Sequence, residues 1–455
     1  MTDTIAAIAT ARSPAAIGIV RISGPETMRV VDRAFAARSG RPAAELPARR
    51  MVYGRMRTAE GEVIDDGLCV LFPPESSYTG EWSAELHCHG SAVVLEEVLH
   101  CAFAAGARQA RGGEFTQRAF LSGRMDLIQA EAVADLIDAE TAECARNAAM
   151  QLSGAMSRGV EQVYEELMAI TARFYAAVDY PDEDIEPLER QEIAETLGRC
   201  GSALARLRDT FRRGQLLKEG IPTVLLGLPN AGKSSLLNAL LGYDRAIVTE
   251  VAGTTRDTVE EKVRVGGQLL RLCDTAGIRE TRDGVERIGV DRAVAAAERA
   301  ALSLVVLDGS ALLTGEEERI FALAGKAEHA VLIVNKSDLP QQAALEELRG
   351  RFTHVCHVCA RTGEGVEQIE KIVREIYPQP VCSAGALLTN SRQAEAVQRA
   401  AAAVDRAQTA LEAGLTPDAV LADAEEALSA LGELTGKSIR EDLVANIFSR
   451  FCVGK

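Results

Sequence analysis

The stretch Gly227-Leu-Pro-Asn-Ala-Gly232-Lys233-Ser234 has the spacing G-x-x-x-x-G-K-[ST], directly after an apolar run at 223–226 and at the start of a helical pattern. A chance glycine-rich turn would lack those flanks. With strand, loop and helix in that order, backbone N–H groups are placed to wrap a β-phosphate. Lys233 then reaches the β and γ oxygens, and the Ser234 hydroxyl becomes a ligand for Mg²⁺. Downstream, Asp274-Thr275-Ala276-Gly277 closes the next buried run. Its carboxylate would hold magnesium through a water, and the Gly277 N–H would sense the γ-phosphate. Asn335-Lys336-Ser337-Asp338 ends a further run. Asp338 offers two acceptor oxygens to the guanine ring N–H and exocyclic amine, a donor pair that adenine lacks. Sites built for such a pair discriminate strongly. The three motifs in this order predict a P-loop domain that binds GTP rather than ATP.

Between the first two motifs, Gly253-Thr254-Thr255-Arg256-Asp257 supplies a switch threonine, with Thr255 the expected second magnesium hydroxyl. Cys359-Ala360-Arg361 stands where a Ser-Ala-Lys loop usually touches guanine through its backbone, a contact that tolerates the cysteine. The residues expected around GTP are Asn230, Ala231, Gly232, Lys233, Ser234 and Ser235 in the P-loop. Thr249, Glu250, Val251, Ala252, Gly253, Thr254 and Thr255 join them from the switch. Asp274, Thr275, Ala276 and Gly277, then Asn335, Lys336 and Asp338, then Cys359, Ala360 and Arg361 complete the set. Ras-like GTPases carry a water-orienting Gln immediately after DxxG. Here that position is Ile278, and no arginine finger is identifiable. Asn230, followed by a loop of carbonyls and hydroxyls, suits a monovalent cation beside the phosphates instead.

Around this centre, between 216 and 380, apolar runs at 223–226, 269–273, 302–307, 330–334 and 354–358 alternate with helical segments. That is the pattern of a parallel α/β sheet. Residues 1–122 differ, with short strand-like runs at 17–22, 67–72 and 84–87 and a helical stretch at 91–105, as in an α+β domain. Residues 123–215 and 381–455 are helical. Leu127, Ala130, Val133, Ala134 and Ile137 fall on one helix face, and breaks are expected at Pro181, at 414–417 and at Thr435-Gly436. The reading is multidomain: an N-terminal α+β domain and a discontinuous all-α domain, with the GTPase domain inserted between its halves.

The length of 455 residues agrees, suggesting about three domains. With 25% charged and 47% hydrophobic residues the composition is globular. Aromatics are only 4%, with one tryptophan, which excludes an extended stacking platform for single strands. The formal charge of −16 is the wrong sign for bulk phosphate neutralisation, so an RNA partner must meet a local basic patch or a second protein. No basic n-region with an apolar core begins the chain, and no run nears the ~18 apolar residues of a membrane span. Ten irregularly spaced cysteines read as reduced thiols. A cytoplasmic chain without a membrane partner is expected.

Several blocks then resemble the MnmE (TrmE) tRNA-modification GTPases over essentially the full length. They are Gly18-Ile-Val-Arg-Ile-Ser-Gly24, Tyr78-Thr-Gly-Glu81, Glu114-Phe-Thr-Gln-Arg-Ala-Phe-Leu121, Gln129-Ala-Glu-Ala-Val-Ala-Asp-Leu-Ile-Asp138, the GTPase motifs and Phe451-Cys-Val-Gly-Lys455. The resemblance implies a tetrahydrofolate-binding, dimerising domain at 1–122, a split helical domain at 123–215 and 381–455, and a G domain at 216–380. It implies a homodimer that works with the flavoprotein MnmG (GidA), in a heterotetramer, on carbon five of the wobble uridine of certain tRNAs. The added group is of the aminomethyl or carboxymethylaminomethyl kind, drawn from a 5-formyl or methylene tetrahydrofolate. Potassium would replace the arginine finger, held by Asn230, Thr249, the Val251 backbone and Thr254, with Glu286 orienting the attacking water indirectly. Folate contacts would fall to Arg21, Glu85, Arg124 and Lys455. Two departures, Ala11-Arg-Ser-Pro-Ala-Ala-Ile17 for a glycine-rich run and His89-Gly90-Ser91 for His-Gly-Gly, concern the folate pocket rather than the GTP site.

Other clusters read more plainly. Cys356-His-Val-Cys359 with His354 lies on an expected buried strand, whose alternate side chains point to opposite faces, against a zinc site. His87-Cys88-His89 fits a pocket lining better than a metal site. Cys452 reads as an apolar anchor that lets Lys455 reach the folate, over an activated nucleophile. Arg199, Arg206, Arg208, Arg212 and Arg213 form either a tRNA-facing patch or a solvated helix face. Two other function classes stay open: a ribosome-assembly GTPase of the Era or Der type, which needs a basic RNA-binding appendage, and a nucleotide-gated, non-catalytic scaffold.

Overall fold

The computed structural model describes residues 3–180, 188–243, 261–272, 294–343, 348, 350–378, 386–438, 447–448, 451 and 454. The chain forms two compact units. One comprises Met1–Ala134, Gln151–Leu204 and Glu395–Lys455; the other comprises Asp135–Met150 and Ala205–Ala394.

In the first unit, seven strands run β1 (Ile5–Ile8), β2 (Ala15–Ser23), β3 (Phe35–Ala37), β4 (Val52–Arg57), β5 (Val63–Phe72), β6 (Ser83–Gly90) and β7 (Arg108–Gln109). Their order in the sheet is β3-β4-β5-β6-β2-β1-β7. All neighbours are antiparallel except β1 and β7. Val20, Ile22, Met56, Leu71, Ala84 and Leu86 form one buried side with the helices Thr27–Ala34 and Ala92–Ala104. Every second strand residue therefore faces that core, as an antiparallel sheet with one covered face requires. Gly18 is needed there because a Cβ would meet the Leu95 side chain at 2.7 Å.

The same unit holds long helices at Ala155–Asp179, Arg190–Arg208, Ser391–Glu412 and Pro417–Thr435. Val160, Val163, Leu167 and Ile170 lie buried on the first, and Leu421, Ala424, Leu428 and Leu431 on the last, at the 3,4 spacing of an amphipathic face. Gly436 ends the last helix in the left-handed region at φ 89. The expected breaks at 414–417 and Thr435-Gly436 are found, and the helix before Pro181 ends at Asp179. Two details differ from the sequence reading. The stretch from 126 to 178 is three helices, turned at residues 138–141 and at Gly154 (φ 79). The helix expected to reach Arg213 stops at Arg208, and a separate helix spans Phe211–Glu219.

The second unit is a six-stranded sheet in the order β13-β12-β11-β8-β10-β9. Its strands are β8 (Ile221–Leu226), β9 (Glu261–Val265), β10 (Gln268–Leu272), β11 (Leu302–Asp308), β12 (His329–Asn335) and β13 (His354–His357). Ile221 and Leu225 face one buried cluster, and Val224 and Leu226 the other. Burial on both faces explains the near-continuous apolar runs. The five expected strands are present within a residue or two. β9, at the edge, was not expected and pairs antiparallel with β10. Gly266 and Gly267, with φ of 62 and 81, make the two-residue turn that forces this hairpin.

Candidate active site

β8 has β11 on one side and β10 on the other, so the chain reverses its winding at the carboxyl end of β8, where open α/β sheets hold ligands. Residues 227–232 turn there, and the helix Lys233–Tyr243 begins. Two residues set the shape of the turn. Asn230 is left-handed at φ 62, and Gly232 has φ 99 with no room for a side chain, because a Cβ would lie 2.0 Å from Asn335 Nδ2. Asn335, at the end of β12, donates from Nδ2 to the Ala231 carbonyl at 2.8 Å and accepts the Ala360 N–H at 3.0 Å. One buried amide thus clips the phosphate loop to the base-reading loop.

The cleft beside this clip has a volume of about 610 Å³ and is bounded by Asn230, Gly232, Lys233, Ser234, Ser235, Lys336, Asp338, Cys359, Ala360 and Arg361. Lys233 Nζ donates to the Gly227 and Leu228 carbonyls at 2.8 Å each, and burial pushes its pKa down. Lys336 is left-handed at φ 61, with Nζ 2.5 Å from Asp308 Oδ2. Asp338 accepts from the Cys359 thiol at 3.3 Å and from Arg361 Nη2 at 2.8 Å. The thiol hydrogen bond and the guanidinium together hold its carboxyl below the usual range.

The cleft fits a nucleoside triphosphate on its own features. A helix N-terminus and a glycine that admits no Cβ form one end, and a carboxylate with two acceptor oxygens stands at the other. Of the residues expected to hold ions, Ser234 and Asn230 line the cleft. Thr249, Glu250, Val251, Ala252, Gly253, Thr254, Thr255, Asp274, Thr275, Ala276, Gly277 and Glu286 lie outside the described residues.

In the first unit, register pairs Arg21 on β2 with Glu85 on β6, and the guanidinium meets Glu85 Oε1 at 2.9 and 3.1 Å. Its Cζ sits 5.9 Å from the Tyr78 ring centroid and 5.7 Å from that of Phe115. His87 Nε2 is 3.4 Å from the second Glu85 oxygen, whereas His89 turns to Asp65 at 2.8 Å. The Arg124 guanidinium donates to the Pro74 carbonyl. Lys455 and Cys452 lie outside the described residues, but Gly454 is seated against Ile8, where a Cβ would be 2.4 Å from the Ile8 carbonyl. The chain end therefore returns to β1, which neighbours the Arg21 strand.

The sequence reading missed what ties the family blocks together. Arg118, 1% exposed, reaches Glu81 and Asp3 at 2.9 Å and Glu114 at 3.3 Å. Burial raises the Glu114 pKa, yet Arg108, the Arg111 N–H and Arg118 outweigh it and bring the value down to about 2. Ser23 and Thr79 share a 2.7 Å hydrogen bond beside this network, and Tyr78 meets Thr116 at 3.0 Å. Glu114 and Arg118, spaced i, i+4, were the available signal.

Elsewhere, Cys356 is buried against the Leu332 carbonyl while Cys359 turns to Asp338, so the two cysteines diverge. Arg199 pairs with Glu166, Arg208 with Asp209 and Arg212 with Glu328. Among the described residues no helix is long and apolar enough to cross a membrane.

The model for the MnmE helical domain matches residues 127–452, and that for the GTP-binding protein TrmE N-terminus matches residues 4–124. The tRNA modification GTPase MnmE of Symbiobacterium thermophilum is 43% identical over 455 residues, covering 100% of this chain and 99% of that protein. This chain belongs to the MnmE family of tRNA modification GTPases. The MnmE proteins of Heliobacterium modesticaldum and a Roseiflexus species are 41% and 42% identical, again over 100% of this chain and 99% of theirs. MnmE membership accounts for the α+β, helical and P-loop parts occurring in one chain.

Proposed function

We propose that this chain is a potassium-activated GTPase that, with a flavoprotein of the MnmG (GidA) type, modifies carbon five of the wobble uridine in certain tRNAs. The family supplies the coarser statement, a GTP hydrolase tied to tRNA modification. The one-carbon unit comes from a tetrahydrofolate derivative, and the working form is a homodimer joined to the flavoprotein in a heterotetramer. The observation that carries the reading is the Asn335 clip, which sets the phosphate loop and Asp338 at opposite ends of one cleft.

The steps assigned to this chain's residues follow. Lys233 exchanges its two carbonyl acceptors for phosphate oxygens, a trade favoured by the charge of the nucleotide. N–H groups of residues 230–235 hold the β-phosphate, and Asp338 reads guanine. Ser234 and Thr255 would hold magnesium, with Asp274 acting through a water, and the ion would supply charge neutralisation at the phosphates. Asn230, Thr249, the Val251 carbonyl and Thr254 would hold potassium, whose charge neutralises the transition state as an arginine finger does elsewhere. Glu286 orients the attacking water indirectly. Arg21 and Glu85 meet folate, joined by Lys455 from the chain end and by Arg124.

The test is GTP turnover in potassium against sodium. Fast hydrolysis in potassium only, with the difference abolished in Asn230→Ala while GTP binding persists, is the expected result. Equal rates in both salts would overturn potassium activation, and no turnover in either would favour a nucleotide-gated scaffold.

A further inference from the structure

Residues 38–57 hold six arginines and one acid, Glu45, a local charge of +5 in a chain of −16. They lie at the β3–β4 edge of the first sheet. The hydrogen bond from Arg38 N to the Tyr53 carbonyl at 3.0 Å closes the connection between the strands, and Arg49 N is fixed to the Leu71 carbonyl at 2.8 Å. Arg55 is paired with Asp66, and Arg57 donates to the Asp32 carbonyl. The others are different. Arg38, Arg41, Arg49 and Arg50 are exposed, and no carboxylate among the described residues lies within ion-pair reach of them. Arg38 lies over the ring of Tyr53 at 6.0 Å, and Tyr53 and Met51 are 47% and 62% exposed.

Edge strands are commonly protected by charge, but lysine serves that purpose and one or two residues suffice. Four unpaired guanidiniums beside an exposed aromatic ring form a different surface. Arginine presents planar, bidentate donors matched to phosphate, and an exposed tyrosine offers a face to an unstacked base. We propose that this edge, centred on Arg38, Arg41, Arg49, Arg50 and Tyr53, is a docking surface for the phosphate backbone of tRNA. It is the local basic patch that an acidic chain requires if it is to meet RNA directly. The proposal rests on the tRNA reading above and adds where the RNA lies.

The test is fluorescence anisotropy of the full-length protein with a tRNA transcript bearing a wobble uridine, titrated at several KCl concentrations. The variant R41E/R49E/R50E should bind at least tenfold more weakly. Its log–log salt slope should fall by about two to three, one counterion step per lost phosphate. R41Q/R49Q/R50Q should lose the same slope with a smaller loss of affinity, and it keeps the test open should charge reversal impair folding. R41K/R49K/R50K should retain most binding. GTP turnover should stay unchanged in all three. A wild-type Kd and slope in the Glu and Gln variants would overturn the surface while leaving the tRNA reading intact. Wild-type protein with no salt-dependent tRNA binding would overturn both. Loss of binding only together with a change in oligomeric state would assign the edge to contacts between copies of this chain, and would overturn the proposal too.

Discussion

In the P-loop cleft the backbone makes the site, whereas the cluster around Arg21, proposed for folate, is made by side chains. The first depends on dihedral angles at Asn230, Gly232 and Lys336 and on one amide that joins two loops. The second depends on Arg21 and Glu85 brought together by β2–β6 register, with Tyr78 and Phe115 arriving from separate elements. A backbone site needs consecutive residues of the right type and leaves a contiguous motif. A side-chain site needs residues far apart in sequence and leaves only isolated blocks.

The strongest way to break the contrast is to remove a side chain on which the second region leans. Arg118→Met takes the buried cation from Glu81 and leaves Glu114 with Arg108 and the Arg111 N–H, and loss of one partner of a buried ionic network costs roughly 3–5 kcal/mol. Thermal unfolding of the first unit should drop accordingly, while nucleotide binding at the cleft persists. An unchanged melting profile would show that the network does not hold the family blocks together. Acid should act in the same place. The Glu114 pKa lies at about 2, below its ordinary 4.5, so its stabilisation is present above the ordinary value and is lost as pH falls towards the lower one. Stability measured from pH 5 downward should begin to fall near 4.5, and should fall less in Glu114→Gln relative to that variant's own neutral stability.

Next is base choice. Asp338→Asn exchanges an acceptor-only carboxylate for an amide, and xanthine has a carbonyl where guanine carries its amine. Affinity for GTP should fall by about a hundredfold or more, with XTP gaining. Unchanged GTP affinity would remove Asp338 as the guanine reader.

The legibility of the two regions follows their construction. The strands of the second sheet could be read because burial on both faces leaves continuous apolar runs; β9 could not, since it is short, half-buried and visible only through the Gly266-Gly267 turn. In the cleft, Asn335 was legible as part of a motif, yet its second contact, to Ala360, appears only once β12 and the loop after β13 lie side by side. In the first unit, Arg21, Glu85 and Arg124 were grouped by resemblance alone. The fold brings Arg21 and Glu85 together across β2 and β6 and gives Arg124 the Pro74 carbonyl as a partner, contacts that spacing along the chain could not convey.

A milder perturbation acts on the chain end. Gly454 is seated on Ile8 of β1, which pairs with the Arg21 strand, so deletion of residues 453–455 removes that anchor together with Lys455. A charged hydrogen bond is worth roughly 1.5–3 kcal/mol, about tenfold to a hundredfold in affinity. Calorimetry should show 5-formyltetrahydrofolate binding weakened by that order, with phosphate release from GTP little changed. Unchanged folate affinity, or a matching loss of GTPase activity, would defeat the separation of the two sites.

The smallest expected effect tests the cleft against itself. Arg361 Nη2 holds Asp338 Oδ2 at 2.8 Å, and the Cys359 thiol holds the other oxygen. Guanine needs both oxygens, so binding must displace or share these donors. Arg361 is 80% exposed, which makes its pair with Asp338 weak and screened by salt. Arg361→Gln should therefore tighten GDP binding by only about two- to fivefold, chiefly at low ionic strength, and the difference should vanish as KCl rises. Inosine diphosphate, which lacks the exocyclic amine and asks less of the carboxylate, should gain less than GDP. Stopped-flow release of a fluorescent GDP analogue, compared at low and high KCl, measures this directly. Weaker GDP binding in Arg361→Gln at every salt concentration would mean that the guanidinium supports the base instead of competing with it for Asp338.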